Sequence, residues 1–277
     1  MRWHKAKRLS TDQFQRRFGI KRVLFDKMVE VIQSEQREHP AQNSRGRPKA
    51  LTVKDGLLLM LGYYREYRTL FHLATDYGVS EATAWRIVRQ YEQILIQSKI
   101  FHLPGKKKLS ASQFNYEVVL IDATETPIER PKKKQRKYYS GKKKRHSLKT
   151  QMVLNRTTRQ IICTAYGNGS QHDFSLYKQS RLALCCSTSA QVDSGYQGLQ
   201  KLHAQTQMPY KNTKLHPLTK EQKRANTTLS SSRVLIEHVI RKLKIFKIVS
   251  EKYRNRKKRF GLRMNLIAGW YNYQLVL

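Results

Sequence analysis

Acidic residues are scarce in this chain. Of its 277 residues only 19 are Asp or Glu against 55 Lys or Arg, a formal charge of +36. Such an imbalance excludes most enzymes of small neutral substrates. A globular chain this basic is expected to meet a polyanion, and nucleic acid is the usual one because basic side chains displace its condensed counterions. Cysteine is scarce too: Cys163, Cys185 and Cys186 are odd in number and lack paired spacing or matching histidines. A disulfide framework and a zinc finger are both excluded, and the three are expected to pack as small reduced hydrophobes. Long apolar runs are lacking, so no segment approaches the ~20 residues that span a bilayer. The opening Met1-Arg-Trp-His-Lys-Ala-Lys-Arg reads as polar helix rather than export signal. The expectation is a cytoplasmic, nucleoid-associated protein with no membrane role. Disorder is not expected, because 15 Tyr, 9 Phe and 3 Trp can build a core.

What is present divides the chain. Ser10 with Gln13 makes a capping box that opens a short helix ending near Gly19. From Lys21, apolar residues at Leu24, Met28, Val31 and Ile32 keep helical spacing until a linker at 38–44. The linker ends in Arg45-Gly-Arg47-Pro-Lys, which has the form of an AT-hook core laying Arg45 and Arg47 into a minor groove, or of a basic linker touching phosphate. Thr52 and Asp55 start the next helix, whose run from Gly56 to Tyr64 suits burial. Leu70 to Tyr91 then follows helix-turn-helix grammar: Ala74 is small where helices cross, Gly78 supplies the turn, and Ser80 caps the second helix. Glu81, Thr83, Trp85, Arg86 and Arg89 stand at that helix's exposed early positions and are the candidates to meet DNA. The bland reading is an ordinary helical hairpin.

Past Leu103-Pro104-Gly105 the pattern changes. Tyr116 to Asp122 is a β-branched apolar run ending in an acid, followed by strand-like runs at 146–154 and 160–166 joined by a turn. Another short strand ends at Asp193, and a long helix is expected over 232–249. Where acids are few, their places matter. Asp122 and Asp193 close strands, and Glu237 lies on the helix beside Arg233 and Lys244, which share its face at spacings of four and seven. Three converging carboxylates repel unless a cation holds them, and Mg²⁺ is the natural one, two ions serving both oxygens of a phosphodiester displacement (Mn²⁺ as substitute). Asp173, after His172, serves either as a fourth acid or as a helix cap. Glu125 and Glu129 read as solvated charges. Two acid-free basic runs, 132–145 with twin tyrosines and 252–259, read as phosphate-tracking surfaces.

These residues resemble a family: the DDE transposases of bacterial insertion sequences, in the branch related to eukaryotic Harbinger elements. The resemblance rests on Leu120-Ile-Asp122-Ala-Thr-Glu-Thr-Pro-Ile, Gly169-Ser-Gln-His172-Asp173, Val192-Asp193-Ser-Gly-Tyr-Gln-Gly198 and Arg233-x3-Glu237-x6-Lys244, in that order, with the acids 71 and 44 residues apart. It implies an α/β fold, a ribonuclease H-like mixed sheet flanked by helices, preceded by an all-α helix-turn-helix domain. The expected boundaries are 1–110, with the helix-turn-helix near 67–98, and 111–277. It further implies Asp122, Asp193 and Glu237 as catalytic metal ligands and Arg233 and Lys244 as signature cations. Ser230 stands where the family pattern has Tyr. The implied activity is metal-dependent cutting and joining of double-stranded DNA, at element ends and target, by a homodimer or larger assembly. The rivals are a non-catalytic helix-turn-helix DNA-binding derivative and an RNA-binding protein, the latter disfavoured because A-form RNA denies a helix its deep groove.

Overall fold

A computed structural model describes residues 1–38, 49–111, 116–213 and 217–277. The chain forms two compact units. The first comprises residues 1–102, 244–251 and 259–277, and the second 103–243 and 252–258.

The first unit is helical: α1 (Trp3–Ala6), α2 (Thr11–Phe18), α3 (Arg22–Glu38), α4 (Val53–Arg65), α5 (Leu70–Tyr77) and α6 (Glu81–Gln97). Its starts follow the expected chemistry. Ser10 and Gln13 complete the capping box, Thr52 caps α4 and Ser80 caps α6, each side chain taking an N–H of the first turn. Gly78 turns the chain between α5 and α6 at φ 63°, a conformation that other residues adopt at a cost. Ala74, Ala84 and Val88 are buried at the crossing.

The second unit holds α7 (Lys107–Ser110), β1 (Val118–Pro127), α8 (Gln135–Tyr138), β2 (Tyr139–Ser140), β3 (Arg145–Asn155), β4 (Ile161–Asn168), α9 (Asp173–Ser180), β5 (Ser189–Gln191), β6 (Thr206–Gln207) and α10 (Lys220–Lys244). β1 pairs antiparallel with β3, and β3 with β4, while β5 and β6 add in parallel on the other side of β1. The order β4-β3-β1-β5-β6, with β2 also on β3, is the expected ribonuclease H-like mixed sheet. Its core gathers Val119, Ile121, Val153, Ile162, Ala190 and Tyr196.

The chain then returns to the first unit through α11 (Lys247–Ser250) and α12 (Phe260–Leu275). The expected division at 110/111 assigned these residues to the second unit. Packing decides otherwise, because α12 is apolar nearly all round, with ten buried residues, and packs with α3 and α6. Its start is pinned by charge. Glu92 on α6 is fully buried and accepts from Tyr64 Oη at 3.0 Å, Arg259 Nε at 2.5 Å and Arg263 Nε at 2.7 Å.

Other expectations are corrected at element ends. The late helix begins at Lys220 and stops at Lys244 instead of running over 232–249. Of the cysteines, Cys163 is buried and its thiol pushed up to about 12 by that burial, but Cys186 is exposed. No helix among the described residues is long and apolar enough to cross a membrane. Arg45 and Arg47 lie outside the described residues.

Candidate active site and nucleic-acid interface

Asp122 does not end its strand as expected. β1 runs on to Pro127, with Asp122 opposite Met152 of β3. What ends is the neighbour: β5 pairs only with Val118–Leu120 and finishes at Gln191. From there Val192 and Asp193 lead into a short 3₁₀ turn, so β1 loses its parallel partner just where Asp122 stands. Beyond Leu120, β1 therefore has β3 as its only ladder partner among the described residues.

Asp193 caps the turn, taking the Gly195 N–H at 2.9 Å. A methyl added at Gly195 would lie 3.0 Å from Asp193 Oδ1 and 2.6 Å from Asp173 Oδ2, so the two carboxylates flank one backbone carbon and would have to move aside for any side chain there. Asp173 is the first residue of α9, whose cap position is His172 without a side-chain cap bond. The capping role weighed for Asp173 is therefore not what its side chain does. Its Oδ1 stands 2.9 Å from Lys149 Nζ, off the hydrogen-bonding direction, so among the described residues this buried oxygen has a charge partner and no hydrogen bond.

Asp122 accepts the Ala123 N–H at 2.8 Å and faces Arg233, whose Nη2 is 3.9 Å away. Burial pushes its carboxyl up to about 6. The Ala123 bond and Arg233 pull it down, and Asp193 and Asp173 push it further up. Arg233 reaches it because α10 is tied beside β5: Ser232 Oγ donates to Gln191 Oε1 at 2.6 Å. Beneath the acids Tyr196 is buried, its phenol raised by burial and by all three aspartates.

The structure thus brings Asp122, Asp173, Asp193 and Arg233 together. Glu237 lies one turn beyond Arg233 on α10 and is exposed, as is His172, and Lys244 follows Glu237 at seven residues. Among the described residues no three of His, Cys, Asp or Glu stand close enough to hold a metal jointly. The donor chemistry nevertheless suits a hard divalent cation: carboxylate oxygens, one of them without a hydrogen bond, and an Asp122 carboxyl pushed up by burial and by two neighbouring aspartates. Sequence reasoning missed Lys149, a buried lysine whose signal was a lone cation inside an otherwise uncharged strand run. It also misread Glu125, which is half-buried and accepts from Ser140 Oγ at 3.0 Å and Ser147 Oγ at 2.7 Å.

In the first unit, α6 exposes Glu81, Trp85, Arg86 and Arg89, while Thr83 is half-buried and shared with the Ser80 cap. Trp85 is 49% exposed and carries the Arg89 guanidinium 4.8 Å from its ring centre, a cation–π contact on the exposed face of the helix.

Comparisons with known proteins place both regions of the chain in one family. The family described as DDE superfamily endonuclease matches residues 121–269, and the helix-turn-helix of DDE superfamily endonuclease matches 49–98. A protein of Microchaete diplosiphon, named probable transposase for insertion sequence element IS702, is 45% identical over 100% of this chain and 99% of its own. A Streptomyces albus G protein named for the transposase of insertion sequence element IS112 is 26% identical over 84% of each chain. No solved structure matches. Acids gathered where a parallel strand leaves the sheet, a capped helix-turn-helix and these likenesses lead to one conclusion: the chain belongs to the DDE superfamily endonucleases, among the transposases of insertion sequences.

Proposed function

We propose that this chain recognises the ends of its own DNA element through α5 and α6, and cuts and rejoins strands at the Asp122 site. The observation that carries the reading is the under-compensated cluster of Asp122, Asp193 and Asp173 beside Arg233 in a chain otherwise dominated by cations. Asp122, Asp193 and Glu237 would hold two Mg²⁺ ions, or Mn²⁺ in their place. When bound, such ions stabilise both the attacking and the leaving oxygen of a phosphodiester displacement. Arg233, standing at Asp122, orients a phosphate against the carboxylates, and Lys244 extends the same helical face along the backbone. Lys149 holds Asp173 in place at the mouth of α9. On α6, Arg86 and Arg89 meet phosphate or guanine, while Trp85 offers an apolar face to a thymine methyl.

The chemistry needs water or a 3′-hydroxyl as the attacking group and no covalent protein intermediate. Joining two element ends requires at least two copies of the chain on DNA, acting in the bacterial cytoplasm where that DNA lies. The deciding experiment is cleavage of a duplex carrying the element's terminal repeat, with Mg²⁺, by wild type and by Asp193→Asn. Wild type is expected to cut and the variant to lose at least about a hundredfold in rate, roughly 2.7 kcal/mol of barrier. Equal cutting would end the assignment of Asp193. Metal-independent DNA binding with no cutting by wild type would favour the non-catalytic derivative.

A further inference from the structure

The two basic runs are more than a hundred residues apart in sequence, and either alone could be a solvated face. Both lie in the second unit. The first presents nine exposed cations between Lys132 and Arg145, and the second five between Lys252 and Lys258. They are joined at their bases. Tyr253 N donates to Pro127 O at 2.8 Å, and Ile128 and Tyr253 form a parallel bridge at the end of β1, where the first run departs. Tyr253 is buried and its hydroxyl donates to Lys258 O at 2.6 Å, which fixes the second run's turn.

The twin tyrosines of the first run separate in role. Tyr138 is committed: Lys257 Nζ lies 4.1 Å from its ring centre and donates to its hydroxyl at 2.8 Å, clasping one run to the other. Tyr139 is 43% exposed and is braced at its edge by His146, 5.5 Å between centres at 72°. The arm's other anchor is the loop that leads into α9, where Ser170 Oγ donates to Lys137 O at 2.8 Å. The arm therefore rises beside the segment that delivers Asp173 to the acids.

We infer that the two runs form one surface for a single DNA strand, with Tyr139 as the platform on which an unpaired base of that strand stacks. Fourteen cations with no intervening acid, nine from one run and five from the other, call for phosphate. A paired duplex hides its base faces, so an exposed aromatic ring among those cations has a stacking partner only where bases are unpaired. Tyr138 cannot serve, because Lys257 already occupies its face. The inference rests on the reading of the second unit as the strand-cutting one, and its test is arranged to fail separately.

Full-length protein is mixed, in EDTA so that no cutting occurs, with a duplex bearing an unpaired 3′ DNA tail that carries 2-aminopurine. The same duplex without a tail, and one with an RNA tail, are compared. Wild type should prefer the DNA-tailed duplex and quench the probe. Tyr139→Ala and Tyr139→Leu should each weaken tailed binding about tenfold and lose the quench, while Tyr139→Phe should keep both. Replacing Lys142 and Lys143 by Ala should lower the salt dependence by about 0.7 per lost contact. Equal binding of tailed and blunt duplexes, an unchanged quench in Tyr139→Ala, or preference for the RNA tail would each overturn the inference. None of these results depends on Asp193, so Asp193-dependent cutting with no effect at Tyr139 would remove this proposal alone. An intact quench with Asp193-independent cutting would remove the catalytic reading alone.

Discussion

Two acids in this molecule are taken largely out of water, and they are treated in opposite ways. Glu92, in the helical unit, is fully buried and receives two guanidinium groups and a tyrosine hydroxyl, all within 3.0 Å. Asp122, in the sheet unit, has one backbone N–H at hydrogen-bonding distance, a guanidinium at 3.9 Å and two further aspartates pushing its proton affinity upward. A carboxylate surrounded by donors closes a structure. One left short of positive charge, beside others of its kind, is the kind of place the proposed function gives to a cation from outside.

The comparison breaks if the two acids respond alike to neutralisation. Glu92→Gln leaves the buried Arg263 and the half-buried Arg259 facing a neutral amide and should destabilise by about 3–5 kcal/mol, read from the urea midpoint. It should also release α12 from the first unit, seen as protease sensitivity near Arg259. Asp122→Asn should do the reverse in EDTA at pH 7, leaving stability unchanged or raising it by up to about 2 kcal/mol, while cutting is lost.

The pH dependence sharpens the same contrast. The Asp122 carboxyl is pushed up to about 6 from the ordinary 3.8. Between those values the folded chain keeps a proton that the unfolded chain has released, so this group's contribution to stability falls as pH rises from about 4 to about 6. Wild type in EDTA should therefore lose urea resistance across that window relative to Asp122→Asn. Equal slopes would contradict the cause given for the shift.

Smaller effects follow. Gly195→Ala inserts a methyl 2.6 Å from Asp173 Oδ2, and should weaken divalent-ion binding about tenfold, some 1.4 kcal/mol, with the fold retained. Ser80→Ala removes the cap of α6 and should cost about 1 kcal/mol, read from the urea midpoint, together with weaker binding of the terminal repeat.

Much of this was legible in advance wherever the determining chemistry is local. The capping pairs at Ser10, Thr52 and Ser80, the turn at Gly78 and the strand-like runs that became β3 and β4 all depend on residues within a few positions of one another. The acids Asp122 and Asp193 stood out because acids are rare in this chain. What was hidden depends on distant partners. That Asp122 sits mid-strand follows from its pairing with β3, and the gap beside it from where β5 stops, nearly seventy residues later. α12 joins the first unit through arginines that find Glu92 across the chain. Tyr138 and Tyr139 look identical in sequence, and only Lys257 separates them. The start of α10 at Lys220 was obscured by a polar stretch with little apolar periodicity before Leu229.

The central claim is that Asp122 is kept short of positive charge for a divalent cation. Calorimetric titration of Mn²⁺ into the full-length protein at pH 7, wild type against Asp122→Asn, tests it most directly. Wild type should bind and Asp122→Asn should bind at least about tenfold more weakly; equal binding by the two would contradict the account.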